Sequence, residues 1–269
     1  MNDFGLFMKR LLLAAFGCMG FFSLAQADLG PEEIVAKANI AALYSGADGR
    51  AEARMKIVDA RGRTQYRQFT MLRKDIEDGG DQLFYVIFSR PSEVARTVFL
   101  VNKHPGTDDE RWLYLPGLDL VKRIAAGDKR TSFVGSHFFY EDISGRDIQA
   151  DTYRLLESDQ DHYVIEATPK DAEAVEFSRY VITIDKSNFL PVRAEYFDKQ
   201  GVAYRLAETV KVDVIDGHPT GTRLVMKDLR DGGQTMTEMR FVNYDIGVPE
   251  TVFTERSMRI PPKDWIKRR

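Results

Sequence analysis

Along most of this chain apolar and polar residues alternate with a period of two, the spacing of strands whose two faces differ. Met55 and Ile57 alternate with Arg54, Lys56 and Val58, and in "RTQYRQFTMLRK" Phe69 and Met71 face one way. "QLFYVIFS" and "RTVFLVN" are apolar on both faces, which predicts strands covered on both sides. "RWLYLP" and "LVKRI" flank the turn "PGLD". More strand-like runs follow, from "TYRLLES" to "TMTEMRFVNYD", divided by turn residues such as "DKQGV", "DGHPTG" and "RDGGQ". One face of these runs stays apolar, with Tyr163, Ile165, Tyr180, Ile182, Ile184, Tyr196, Leu224, Met226, Met239 and Phe241. The other face carries Arg179, Arg193, Glu195, Arg223, Lys227, Glu238 and Arg240. Helix signals are few. "GPEEIVAKANIAALYSG" has Pro31 in a first-turn position, acidic residues behind it and Gly46 as a stop, which predicts one amphipathic helix from Pro31 to Tyr44. The expected fold is mainly β with a few helices. Its long antiparallel meander must curl or close around a core or a cavity.

The first residues read differently. Lys9 and Arg10 precede an apolar run from Leu11 to Leu24, and Ala25-Gln26-Ala27 follows with small residues at its ends. This pattern predicts a secretory signal peptide over residues 1–27, cleaved after Ala27, and one domain over residues 28–269 in the periplasm. The run is short for a membrane span. Cys18, the only cysteine, lies inside this segment, and simple cleavage is favoured there over lipidation. Without it the mature chain has no thiol, so disulfides, thiol catalysis and cysteine metal sites are excluded. Removing Lys9, Arg10 and Asp3 leaves 36 Lys plus Arg against 40 Asp plus Glu, a net charge of −4. Such a balance gives no general attraction to nucleic acid.

The densest stretch is "WLYLPGLDLVKRIAAGDKRTSFVGSHFFYEDI". Its small residues, aromatics and acids fit either a catalytic site or a segment over an apolar cavity. Only four histidines exist, and His137 alone has chemical neighbours. His137 and Glu141 are spaced i, i+4, which on a helix would offer two metal ligands, but a site needs at least a third. Ser136 beside His137 is not a nucleophile elbow, and no phosphate loop or dinucleotide fingerprint occurs. The chemistry therefore points away from an enzyme, with no cofactor and no metal. The segment is either a lid or a helix that fills the barrel mouth as ordinary core; as a lid it would plug a cavity with Phe133 and Phe138, and Arg123 would latch it by pairing with Glu141 or Asp142, against solvated charges there. Trp112 and Tyr114, whose tips are polar, are assigned to the cavity mouth. Phe69, Met71, Tyr180, Ile182 and Met226 complete the expected apolar wall. The terminal "PPKDWIKRR", with Trp265, admits transient contact with anionic lipid, against a solvated tail.

"WLYLPGLDLVKRI" and "SFVGSHFFYEDI", with "VFTERSM" and "FSRPSEVARTVFLV", resemble the bacterial outer-membrane lipoprotein-sorting-like proteins, relatives of the LolA and LolB carriers. The resemblance implies a strongly curved, half-open antiparallel barrel with helices over an apolar cavity for acyl chains. It implies no cofactor. It also implies a carrier of lipid or lipidated protein that works with an inner-membrane transporter of the RND/MMPL type. His137 departs from it, since these proteins usually carry Asp there. A non-binding structural accessory of an envelope transporter and, more remotely, a hydrolase are the alternatives.

Overall fold

The structure is a computed structural model that describes residues 29–267. The expected signal peptide, its cleavage site and Cys18 lie outside the described residues, as do Arg268 and Arg269. Among the described residues no helix is long and apolar enough to cross a membrane, which says nothing of strands.

The described residues open with helix α1, Pro31–Leu43, as the sequence predicts. Six strands follow: β1 Asp48–Val58, β2 Thr64–Asp75, β3 Gln82–Arg90, β4 Val98–Lys103, β5 Glu110–Leu115 and β6 Leu120–Ile124. A segment containing the short helix α2, Tyr140–Ser144, leads to seven more. These are β7 Asp151–Ser158, β8 His162–Pro169, β9 Phe177–Asp185, β10 Pro191–Asp198, β11 Ala203–Ile215, β12 His218–Asp228 and β13 Gln234–Tyr244. Two short helices, α3 Glu255–Arg259 and α4 Lys263–Ile266, end the described chain.

Among the described residues the 13 strands form one antiparallel, curved and unclosed sheet in the order β6-β5-β4-β3-β2-β1-β13-β12-β11-β10-β9-β8-β7. Two meanders run outward from a central seam where β1 pairs with β13. This order has a consequence for the dense stretch. β6 and β7 are consecutive in sequence but lie at opposite edges of the sheet. Residues 125–150 must therefore cross from one edge to the other, and they do so over the inner, concave face. Their aromatic content follows, because a segment laid across an apolar face must offer apolar surface in return.

Phe133 is fully buried against Phe69, Phe88, Phe99 and Tyr140 on that face. α1 covers the inner face farther along, where Ile34, Val35 and Ala38 meet Ile165 and Ile184. Burying Ile34 and Val35 contributes about 1.5–3 kcal/mol each. The outer face of β3 to β5 is covered too. Tyr85, Val98, Leu100 and Tyr114 pack beneath Val252, Phe253 and Met258, and the Tyr85 hydroxyl donates to the Ser257 carbonyl at 2.8 Å. This double cover is why β3 and β4 are apolar on both faces. Trp265 joins the same outer cluster, and its carbonyl accepts from Arg50 Nε at 3.0 Å. The terminal Trp is thus packed, not carried on a solvated tail.

One alternation breaks. Arg50 and Glu52 of β1 face Asn243 and Arg240 of β13, so Phe241 and Val242 together oppose one residue, Ala51. This β-bulge holds Phe241 at φ 50° and leaves it 51% exposed. Val242, not Phe241, reaches the inner face beside Met239. Strict alternation had assigned Phe241 to the apolar face; the extra residue reverses that parity.

Candidate functional site

The inner face is not completely filled. A cleft remains under the C-terminal end of α1 and beside the crossing segment, and it has two lobes. The smaller, about 230 Å³, lies over the central seam between Met55, Phe69, Met71, Phe84, Leu224 and Met239. The larger, about 330 Å³, lies over β10 to β12 and combines Phe177, Tyr196, Ala207 and Met226 with Arg130, Glu141, Arg146 and Arg205. Leu43, Phe138, Leu190 and Leu224 wall both lobes. Both lobes are mainly apolar; Arg50, Arg73 and Asp142 border the smaller, and Arg130, Glu141, Arg146 and Arg205 border the larger.

The roof is held by buried cations. Arg73 donates to the carbonyls of Leu43, at 2.8 Å, Gly46, at 2.7 Å, and Ser45. The Leu43 carbonyl is an orphan acceptor at the end of α1 and the other two lie in the turn after it, where a cation also opposes the helix dipole. Asp75 neutralises Arg73 at 2.5 Å. α1 and the crossing segment touch at Gly145, where φ is 79° and an added Cβ would lie 2.3 Å from Leu43 Cδ1. Gly145 is thus fixed by contact, not placed as a free hinge.

α2 is tied down on three sides. Asp142 pairs with Arg205 of β11, whose guanidinium lies 3.9 Å from the centre of the Phe139 ring and donates to the His137 carbonyl at 3.3 Å. Glu141 lies among Lys129, Arg130 and Arg146 at 3.5–3.8 Å. Arg146 also makes a two-pronged pair with Asp151, at 2.7 and 2.8 Å, and Asp151 accepts from the Tyr180 hydroxyl at 2.6 Å. Finally, Lys103 donates to the Ser144 carbonyl at 2.8 Å from a buried position, and that burial pushes its ammonium down to about 8.

These contacts sort the residues proposed from sequence. Phe69, Met71, Phe138 and Met226 line the cleft. Phe133 is core beneath the crossing segment. Tyr180 and Ile182 share the inner face but are covered by the aromatic cluster around Phe177 and Tyr196 and do not line the cleft. Trp112 and Tyr114 are on the other side of the sheet, in the outer cluster. Their polar tips suited a mouth, but the α3 end supplies the covering there, and Leu113 takes the inner side. Arg123 is no latch. It stands opposite Trp112 across β5 and β6, hence on the outer face, and lies 3.6 Å from Glu110 with its side chain 66% exposed. The functional pairing of Asp142 is with Arg205, which no local sequence pattern pointed to. Leu224, Met239 and Tyr196 were visible as members of an apolar face, though not as cleft residues.

His137 lies outside α2, so it does not share a helix face with Glu141. Its ring Nδ1 is 2.8 Å from the Thr235 hydroxyl, which also accepts the His137 amide at 3.0 Å. The ring packs on Gly233, where any Cβ would come within 2.4 Å of Nε2. Burial lowers the imidazole below its ordinary value, against the opposing pull of Asp231 and Asp228. The sign follows directly. The unfolded chain binds this proton first, so the stability due to His137 is intact above about pH 6.5 and falls as pH drops through the lowered folded value. His137→Gln should flatten that part of the urea midpoint between pH 7.5 and 5. An unchanged slope would show that other groups govern acid sensitivity.

A family model described as an uncharacterized protein matches residues 80–260. The structure is similar to a DUF1329 family protein from Desulfovibrio piger at 28% identity and TM-score 0.77, over 86% of this chain and 100% of that one. It is similar to a candidate outer membrane lipoprotein-sorting protein domain from Vibrio parahaemolyticus at 25% identity and TM-score 0.77, over 85% of this chain and 98% of that one. The chain belongs to the outer-membrane lipoprotein-sorting-like family. A LolA superfamily protein from Nitrosomonas europaea, 19% identical with TM-score 0.65 over 85% of this chain and 99% of that one, shares the LolA-like fold. No curated protein matches the chain. The half-open LolA-like sheet expected from sequence is therefore the fold observed.

Proposed function

We propose that this lipoprotein-sorting-like protein is a periplasmic carrier that holds acyl chains of a lipid or lipidated protein in its two-lobed cleft. The observation that carries the reading is the unfilled apolar lobe between Met55, Phe69, Met71, Leu224 and Met239 on the inner face of an unclosed sheet. The relatives named for lipoprotein sorting support it. So does the signal-like start of the sequence, which directs the chain out of the cytoplasm. About ten buried methylenes contribute on the order of 8 kcal/mol. That is the scale of a micromolar complex before the costs of association. Delivery to or from an inner-membrane transporter of the RND/MMPL type completes the reading and rests on the sequence resemblance alone. The carrier's work is burial and release, and no residue is assigned a catalytic role.

Lipid mass spectrometry of protein purified from the periplasm tests this. Acyl-bearing species should co-purify in near-stoichiometric amount. Leu224→Trp, which fills the wall common to both lobes, should keep the fold and weaken acyl-chain affinity about tenfold or more, the effect of losing two buried methylenes or more, so that less lipid co-purifies. Protein that purifies empty and takes up no palmitate in titration would leave a structural accessory as the better description.

A further inference from the structure

Glu141, at the wall of the larger lobe, is surrounded by cations and within hydrogen-bond length of none. Its side chain is 9% exposed, and its oxygens lie 3.5 Å from Arg146 Nη1, 3.7 Å from Arg130 Nη1 and 3.8 Å from Lys129 Nζ. The neighbouring acids are bound directly. Asp142 pairs with Arg205, Asp151 accepts from Arg146 at 2.7 and 2.8 Å, and Glu176 accepts from Arg130 at 2.7 Å. Those bonds use Nε and Nη2 of Arg146 and Nε of Arg130, whose Nη2 donates to the Ala174 carbonyl. Each of these two arginines keeps Nη1, and the two stand off different oxygens of Glu141: Arg130 faces Oε2 and Arg146 faces Oε1. Arg130 Nη1 is buried and has no hydrogen-bond partner among the described residues. Arg130, Glu141 and Arg146 all line the lobe.

A buried donor without a partner is costly, and a polar group arriving beside it offsets that cost. The spacing selects the group. Oxygen and nitrogen 3.5–3.7 Å apart are bridged by an atom about 2.8 Å from each that donates to the one and accepts from the other. A hydroxyl does both. An ionised carboxylate or phosphate only accepts and would meet the charge of Glu141; an ammonium only donates and would meet the arginines. Nor is there net positive charge to hold an anion. Arg130, Arg146 and Arg205 have Glu176, Asp151 and Asp142, and Lys129 is shared between Glu141 and Asp108. Two bridges side by side, one to each carboxylate oxygen, call for two hydroxyls on adjacent carbons. Phe177 and Tyr196 in the same lobe offer apolar surface to the C–H faces of such a group.

We propose that Glu141, with Nη1 of Arg130 and of Arg146, is a binding site for a vicinal diol, so that the ligand of the larger lobe carries a neutral glyceryl or glycosyl headgroup. Each hydroxyl donates to one oxygen of Glu141 and accepts from one arginine. An alkyl chain continues from the diol past Phe138 and Leu224, which wall both lobes, into the smaller one. That continuation rests on the acyl-chain reading; the diol site does not.

Titration of the purified protein, below micelle-forming concentrations, separates the two ideas. The probes are dodecylglycerol with its chain on the terminal oxygen, the dimethyl ether of that diol, dodecyl glucoside, dodecyl phosphate, and methyl glucoside without a chain. Dodecylglycerol should bind about tenfold or more tighter than its dimethyl ether, although the ether is the more apolar, because hydrogen bonds to charged groups are lost. It should also bind tighter than dodecyl phosphate. Dodecyl glucoside binding as well as dodecylglycerol would admit a glycosyl headgroup, and weaker binding would restrict the site to glycerol. Glu141→Gln should bring the ratio of diol to ether toward one and leave the affinity for the ether unchanged. Arg130→Gln gives the same reading if Glu141→Gln does not fold. Equal affinities for diol and ether in the wild type would overturn the diol site and leave the carrier reading standing. So would a preference for dodecyl phosphate, or a preference for the diol that survives both substitutions. Glu141-dependent binding of methyl glucoside with no dodecyl probe bound would support the diol site and remove the acyl-chain reading. No binding of any probe would remove both.

Discussion

Phe133→Ala should lower the free energy of unfolding by about 3–5 kcal/mol, the usual loss for a fully buried phenylalanine. The Phe133 ring has no exposed surface and lies 5.5 Å from Phe88, 5.5 Å from Phe99, 5.6 Å from Tyr140 and 6.2 Å from Phe69. Its amide donates to the Phe138 carbonyl at 2.7 Å, so backbone and ring are fixed together. Removing the ring leaves a cavity whose walls belong to β2, β3, β4 and α2, and these cannot all move in. Phe138→Ala should behave differently. One side of that ring faces both lobes of the cleft, so less packing is lost and the site grows. A smaller fall in urea midpoint and a clear change in palmitate affinity are expected. The pair of measurements decides how the crossing segment works. If Phe133→Ala unfolds at the wild-type urea concentration, the segment is a mobile lid. The expected steep loss makes it fixed core with a single residue, Phe138, at the ligand surface.

The contrast between those two phenylalanines marks where sequence reading reached its limit. Period-two alternation located the strands because side-chain direction in a strand is a local property. The doubly covered β3 and β4 were legible from the opposite signal, short runs apolar on both faces. It failed wherever a non-local partner decides. The bulge at Phe241 reversed the parity of β13, and only the register against Arg50 and Glu52 reveals it. Trp112 and Tyr114 lie on one face of β5, but both faces are apolar, and which is inner depends on where α3 packs. The strand order itself, with β1 against β13, is set by pairing across nearly the whole chain. Without it nothing indicates that residues 125–150 span the sheet. Nor does anything indicate that the acids of α2 meet cations from β11 and from the far end of the crossing segment. Arg123 was a reasonable partner by proximity in sequence, yet the sheet stands between it and Asp142.

Arg205 and Asp142 give the other large effect expected. Their side chains are 6% and 19% exposed, so neither charge is well hydrated when its partner is removed. Truncating one member of such a buried pair costs about 3–5 kcal/mol, mostly for the charge left behind. Arg205→Ala should therefore destabilise strongly. It also removes the cation from the Phe139 ring and a donor from the His137 carbonyl, so the loss should concentrate in the crossing segment. Amides of residues 131–144 should exchange faster in this variant, more than those of the outer cluster at Tyr85 and Leu100. Asp142→Ala leaves Arg205 stranded among Phe139, Tyr196 and His137, with a comparable penalty. The double variant Arg205→Met, Asp142→Leu isolates the cause. If the single losses come from an unpaired charge, replacing both by apolar groups of similar size should restore much of the stability. If they come from the geometry the pair imposes, urea stability should return while exchange at 131–144 stays fast and palmitate affinity stays altered. Arg123→Ala is the control, within about 0.5 kcal/mol of wild type because its pair with Glu110 is exposed to solvent. A loss at Arg123 as large as that at Arg205 would return the latch to the outer edge of the sheet, where the present geometry has no acid from α2 to meet it.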